Sequence, residues 1–336
     1  MIILNRFKIL AAALTVSAFL YTQQRSVFAW NSTGHRIIAY ITYNQLEPSV
    51  RQAMVELLKQ HPRFEKDFQS KMPDVIKERN AATQNRWIFM HAATWPDIAR
   101  GFNKADREKY HHGTWHYINK PLYLDPASEL ALSAKLPVNL STSSEDGTEV
   151  LKFNVLQALE FCVKQMNDPA VSPADKAVSL CWIMHLCGDI HQPLHSTALF
   201  AKKTFPEGDR GGNLIRFKHS NLHSQWDRLL GTSWKYSDIA SKAIGISHDP
   251  ALKQRGKAAT QKMAFETWSD ESHVLAIEHV YSPQILAAVK SAEAKGTNLK
   301  KLPQLPQSYF QNGGTIASQR AAQAGWRLAA VINSVQ

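Results

Sequence analysis

His185-Leu186-Cys187-Gly188-Asp189-Ile190-His191-Gln192-Pro193-Leu194-His195 is the stretch that decides how this chain is read. It closes an apolar run that opens at Pro173, where proline suits the first residue of a helix. His185 and Asp189 are four residues apart, so a helix puts both on one face, one turn apart. Gly188 and then Pro193 break the helix, which lets His195 turn back toward them. A second pair, His223 and Asp227 in Asn221-Leu222-His223-Ser224-Gln225-Trp226-Asp227, repeats the four-residue spacing.

Three further candidates lie upstream. Asp97 sits in Thr94-Trp95-Pro96-Asp97, with Arg100 one turn later. His116 sits in Trp115-His116-Tyr117, and His35 closes Trp30-Asn31-Ser32-Thr33-Gly34-His35. Imidazole nitrogens mixed with carboxylate oxygens, without thiolates, suit hydrolytic zinc better than manganese or iron. Clustered divalent ions favour phosphoester chemistry, because they bind the attacking and leaving oxygens together. Either pair alone is a common surface arrangement. Two pairs plus His195 are a more specific sign of a metal hydrolase.

The surrounding composition bounds the possibilities. The 336 residues are 44% hydrophobic and 20% charged, with mean hydropathy −0.31. That is enough for a large core and argues against disorder and against a multi-span membrane protein. Lys+Arg 39 against Asp+Glu 28 gives a net charge of +11 and a pI near 9.5, which favours anionic partners.

Residues 1–29 read as a secretory leader. Arg6 and Lys8 form its basic start, Ile9 to Leu20 its apolar run, and Val27-Phe28-Ala29 its cleavage site. The run is short for a transmembrane helix. Cleavage after Ala29 makes Trp30 the mature N-terminus and leaves 307 residues. The leader holds three basic groups and no acid, so the mature charge is +8. The expected location is secreted or periplasmic. Cys162, Cys181 and Cys187 are an odd set, compatible with one disulfide or none.

Helical signals dominate the mature chain. Helices are expected over 49–58, 149–166, 173–188, 283–294 and 316–332. The best strand signal is Leu214 to Lys218, as a short hairpin edge, and 134–148 reads as a surface loop. No repeat or linker divides 30–336, so the expectation is one mostly α domain with few short strands.

At this point the residues resemble a family. The order Trp-Asn-x-x-Gly-His, Trp-x-Asp-x-x-Arg, Trp-His-Tyr, His-x-x-Gly-Asp-x-His-Gln-Pro-Leu-His, Gly-Gly-Asn and Asn-Leu-His-x-x-Trp-Asp is similar to the three-zinc, single-strand-specific nucleases secreted by moulds, plants and bacteria. These share an all-α fold with zinc-dependent phospholipases C. The resemblance implies three Zn2+ ions. It assigns Asp97, His116, His185 and Asp189 to one zinc and His195, His223 and Asp227 to a second. Trp30, through its α-amino nitrogen and carbonyl oxygen, joins His35 and Asp189 at the third.

The resemblance also implies a division of labour in catalysis. Arg100 contacts a phosphate oxygen, and Asp97 orients the attacking water. Tyr117 occupies the place of a base-stacking aromatic. Asn119 stands where fungal and plant members often carry Asp, and an amide both donates and accepts where a carboxylate only accepts. The implied activity is endonucleolytic cleavage of single-stranded DNA and RNA to 5′-phosphates, with 3′-nucleotidase as a side activity and no stable membrane association. A zinc-dependent phospholipase C would share the ligands, and a secreted nucleic-acid-binding protein would share the charge. Arg100, Tyr117 and the basic chain favour the nuclease.

The remaining histidines take ordinary readings. His191 is expected to hydrogen-bond nearby, and His111-His112-Gly113 to be a surface loop. His61, His91, His219, His248, His273 and His279 match no ligand position. Trp95, Trp115 and Trp226 flank ligands and are expected to pack behind them. Gly211-Gly212-Asn213 is expected as a tight turn beside the site. Asn31 and Asn139 begin glycosylation sequons that are expected to go unused.

Overall fold

A computed structural model describes residues 30–335; the expected leader lies outside the described residues. The described chain is mostly α, as expected. Its axis is the central helix Pro173–Asp189, with Ser172 as N-cap and Pro173 at the first helical position. The Ser172 side chain accepts the Asp175 N–H, one of the donors that a helix start leaves unpaired. Every residue from Ser179 to Asp189 is buried, so the C-terminal half of this helix is enclosed on all faces.

The N-terminal helix Ser32–Gln45 and the C-terminal helix Gln307–Ser334 pack on each other and on the central helix. Gly325 makes their approach possible. A Cβ there would sit 2.5 Å from Ile41 Cγ2, and the Gly325 carbonyl accepts the Thr42 hydroxyl at 3.1 Å. Around these helices lies the larger apolar cluster, including Ile37, Ile41, Trp182, Leu186 and Leu328. A smaller cluster holds Leu194, Leu199, Ile215, Trp226 and Tyr281.

Most expected helices are present with shifted ends. The 49–58 helix spans Pro48–Lys59, and 283–294 spans Pro283–Lys295, closed by Gly296 at φ 61. The C-terminal helix begins at Gln307, nine residues before the expected start. The 149–166 helix begins only at Val155. Its reason is local. Asn154 accepts the Leu156 and Gln157 N–H groups, and Gln157 Oε1 accepts the Asn154 N–H, closing a capping box. Ahead of it, Val150–Lys152 forms a separate 3-10 turn whose Val150 carbonyl accepts Trp115 Nε1–H at 2.7 Å.

The strand expected over 214–218 is absent. Arg216 and Asn221 form an isolated antiparallel bridge closed by Phe217 N–H to Ser220 O. The two-stranded parallel sheet instead pairs β1 (Lys120–Tyr123) with β2 (Thr197–Phe200), Lys120 opposite Thr197. Each strand is only four residues long and β1 contains Pro121, so alternation had no length over which to show. The pair joins the segments that follow His116 and His195.

The expected loop at 134–148 is irregular after a 3-10 turn at Ser133–Lys135. It is tethered: the Asn139 amide donates to Gln157 Oε1 at 2.6 Å. The Asn31 amide likewise donates to the Gly231 carbonyl at 2.7 Å. A glycan on either nitrogen would replace one of its two N–H donors. All three cysteines are free and buried.

Candidate metal centre and active site

The central helix delivers His185 and Asp189, both fully buried. His185 Nδ1 lies 2.8 Å from the Ala93 carbonyl, just beyond the Ala81–Ala92 helix. A carbonyl only accepts, so Nδ1 carries the proton and the Nε2 lone pair faces inward. Asp189 divides its oxygens. Oδ1 lies 3.2 Å from His35 Nε2, while Oδ2 lies 2.9 Å from His116 Nδ1 and 3.3 Å from His185 Nε2.

His35 comes from the first turn of the N-terminal helix and stacks on His185, with ring centroids 4.0 Å apart. Gly188 admits that ring: a Cβ there would lie 2.6 Å from His35 Nδ1. Trp30 is buried beside this turn. Asn31 N–H donates to the Asp227 carbonyl at 3.2 Å, and a Cβ on Gly34 would be 2.8 Å from Trp30 Cβ. Asn31 caps the helix by accepting the Gly34 N–H.

His195, His223 and Asp227 form the other end of the site. His195 Nδ1 donates to the His116 carbonyl at 2.5 Å, and His223 Nδ1 donates to the Gly211 carbonyl at 2.6 Å. Both rings therefore turn their Nε2 lone pairs inward, and these nitrogens are 3.0 Å apart. Asp227 Oδ1 is 3.7 Å from His223 Nε2 and accepts the Gln192 amide at 2.8 Å. The expected turn at 211–213 is present. Gly211 has φ 59, and a Cβ there would lie 2.4 Å from the Leu194 carbonyl.

The arrangement asks for cations. Three groups of His and Asp bring their donor atoms within 4.8 Å of one another: His35, His185, Asp189; Asp97, His116, His185; and His195, His223, Asp227. His116 Nε2, Asp189 Oδ1 and both nitrogens of His35 are buried without a hydrogen-bond partner. Burial holds His35, His116 and His195 well below the ordinary imidazole value and His185 at about 3, so the rings stay neutral. Burial lifts Asp97 to about 7, against the opposing charge of Arg100. Asp189 is raised by burial and by the charges of Asp97 and Asp227. Asp227 is raised by burial and by Asp97, while Gln192 opposes the shift. Burial thus favours the protonated form of these carboxyls, and a divalent ion held among them and the neutral, inward-facing lone pairs would offset that cost and keep them ionised.

Arg100 lies beside Asp97, and Tyr117 directly follows His116 in the chain. Arg100 donates to Asp97 Oδ1 at 3.3 Å and is 27% exposed. Tyr117 is 37% exposed and lines, with Asn119, Asn139, Lys152 and Asn154, a cavity of about 180 Å³. His111 and His112 differ from the expected surface loop. Both are half-buried; His111 lies 6.2 Å from the His116 ring, and His112 stacks on Trp115 at 4.1 Å. His191 is no ligand: its Nδ1 donates to the Cys187 carbonyl at 2.7 Å. Trp95, Trp115 and Trp226 are buried, as expected.

Sequence reasoning missed Gln192 and the carbonyls of Ala93, His116 and Gly211. Gln192 stood inside the quoted block and was visible as a polar group between ligands. The carbonyls belong to the backbone and carry no side-chain signature.

Among curated proteins, the chain is 24% identical to Endonuclease 1 of Arabidopsis thaliana, over 92% of this chain and 88% of that protein. It is 24% identical to Endonuclease 2 of the same plant, over 95% of each. It is 21% identical to Nuclease S1 of Aspergillus oryzae, over 96% of this chain and 97% of that protein. The family model for S1/P1 Nuclease matches residues 30–336, from the tryptophan beside the metal centre to the chain end, so the chain belongs to the S1/P1 nuclease family.

Proposed function

We propose that this nuclease is a zinc-dependent endonuclease that cleaves single-stranded DNA and RNA to 5′-phosphate products, with a side activity as a 3′-nucleotidase. The observation that carries the reading is the division of Asp189, one oxygen toward His35 and the other toward His116 and His185. A carboxylate shared by two cations needs that arrangement. In this reading Asp97, His116, His185 and Asp189 hold one zinc, and His195, His223 and Asp227 a second. Trp30, His35 and Asp189 hold the third. Bound zinc lowers the pKa of water and offsets phosphate charge, the chemistry that hydrolysis near neutral pH requires.

The chain's own groups orient the substrate. Asp97 accepts a hydrogen bond from water and aims it at phosphorus. Arg100 donates to a non-bridging phosphate oxygen and stabilises charge that grows in the transition state. Tyr117 stacks on a base. Every base has a π-face, so sequence preference is weak, and only an unpaired base can reach the ring. Asn119 offers both a donor and an acceptor to the base edge. Residues 1–29 would direct the chain to a secreted or periplasmic location, and their removal would free the Trp30 amine.

The test is metal analysis of the mature protein together with rates on single- and double-stranded DNA and RNA. Three zincs per chain, faster release from denatured strands, 5′-phosphate ends and loss of activity in chelator support the reading. Release of phosphocholine from lecithin without nucleotide release would assign the site to phospholipid instead.

A further inference from the structure

The turn between Asp189 and His195 is held from behind by two buried arginines. Arg320 and Arg327, on the C-terminal helix, are 1% and 0% exposed. Arg320 Nε donates to the His191 carbonyl at 3.2 Å, and one of its terminal nitrogens donates to Ser272 Oγ at 2.8 Å. Ser272 Oγ–H in turn donates to the Ile190 carbonyl at 2.6 Å. Arg327 donates to His191 Nε2 at 3.1 Å, the lone pair left once Nδ1 donates to Cys187. Both nitrogens of His191 are thus engaged, which accounts for a histidine inside the densest block that binds no ion.

Glu271 ties the arginines together. Its Oε2 accepts Arg320 at 2.7 Å and Arg327 at 2.6 Å, and its Oε1 accepts Arg327 at 2.8 Å. One carboxylate against two guanidinium groups leaves a buried excess of positive charge, and burying such groups carries a large desolvation cost. Apolar side chains would fill the space more cheaply. What they would not do is grip two successive carbonyls, Ile190 and His191, on the peptide that follows Asp189.

We propose that Arg320, Arg327, Ser272 and His191 are positioning residues for the metal centre. Through them the C-terminal helix sets the angle of the 190–195 turn, and with it the Asp189 carboxylate and the His195 ring. This inference rests on the metal-binding reading of the site. Ions that need fixed ligand geometry bind more weakly when the groups behind the ligands are lost, by about 10- to 100-fold for outer hydrogen-bond partners.

The experiment measures zinc affinity by competition with a chromogenic chelator, and thermal midpoint in parallel. The proteins are the unaltered chain, Ser272→Ala, Arg320→Lys, Arg320→Met and Val289→Ala, a core truncation on the Pro283–Lys295 helix. Expected are zinc affinities about 10-fold or more weaker for Ser272→Ala and Arg320→Met, partial recovery in Arg320→Lys, and unchanged affinity in Val289→Ala despite a lower midpoint. Ser272→Ala removes only a hydroxyl, so it keeps the test decisive if Arg320→Met does not fold. Unchanged affinity in Ser272→Ala and the Arg320 variants would overturn the inference. So would an equal loss in Val289→Ala. An unaltered protein that binds no zinc would overturn the metal reading itself, and this inference with it.

Discussion

His195 and His223 point their Nε2 atoms at each other across 3.0 Å, each ring fixed by an Nδ1–H donated to a backbone carbonyl. Two acceptor lone pairs at that distance repel unless a cation lies between them. Metal removal should therefore lower stability as well as activity. A ligand present at about 1,000 times its Kd contributes about 4 kcal/mol. The expected outcome is a lower thermal midpoint in chelator, recovered on adding zinc. A midpoint indifferent to chelator would contradict the cation-bridged arrangement.

Gly188 should resist substitution for a reason specific to the site. A Cβ at this position meets His35 Nδ1 at 2.6 Å and Cε1 at 2.9 Å. Gly188→Ala must push the ring from its stack on His185. Overpacking of this kind costs about 1–3 kcal/mol. The larger effect falls on the ion held by His35, so metal analysis should show fewer zincs per chain while the helical circular dichroism signal stays. Full zinc content in this variant would mean that His35 is not a ligand.

One added glycine before Trp30 tests the link between processing and chemistry. Trp30 is fully buried and the Asn31 N–H is bonded to the Asp227 carbonyl, so cleavage before Trp30 would set the new N-terminus against the site. An extension converts the amine to an amide, which does not coordinate as an amine does. Loss of bound zinc and of most activity is expected from the extended protein. Full activity with three zincs would sink the assignment of the Trp30 amine as a zinc ligand.

Acid should unfold the protein partly through Glu271. Burial would raise this carboxyl, but the guanidinium groups of Arg327 and Arg320 outweigh it and hold it down to about 2. The unfolded chain, with an ordinary carboxyl near 4.3, takes up the proton first as pH falls. The stability contributed by Glu271 is complete above that value and is lost as pH falls toward about 2. The slope is at most about 1.4 kcal/mol per pH unit, reduced by partial solvent screening. Glu271→Gln should flatten chelator-treated denaturation midpoints between about pH 4 and 2. An unchanged slope would show that the pair of arginines does not depend on this charge.

Which parts of this molecule were legible in its sequence follows from where the information sits. His185 and Asp189 were legible because a helix converts a four-residue spacing into one face. Gly188 reads as a break, yet the helix runs through it to Asp189; its role is to admit the His35 ring, which needed the fold. The Val155–Asn167 helix start was written in Asn154 and Gln157, an N-cap and its partner three residues on. The apolar run from 149 masked it. β1 and β2 were hidden by length and by Pro121. Arg320 and Arg327 carried no signal of their own within the helix expected over 316–332. Their burial depends on Glu271, Ser272 and His191, all distant in sequence.

Tyr117 is the residue on which strand preference should turn. It directly follows His116 and is 37% exposed, whereas Trp115 on the other side of His116 is buried. The exposed ring is free to stack without disturbing the packing behind the metal centre. Base–aromatic stacking contributes about 1–3 kcal/mol per base, so Tyr117→Ala should raise KM for single-stranded DNA by about 5- to 150-fold. Tyr117→Phe keeps the π-face and should stay near the unaltered value. Neither variant should change zinc content, because the side chain belongs to none of the His and Asp groups able to hold an ion. The discriminating measurement is the ratio of single- to double-strand rates. Stacking on unpaired bases requires that ratio to fall in Tyr117→Ala and to hold in Tyr117→Phe. A ratio unchanged in Tyr117→Ala would move the origin of strand preference away from this ring.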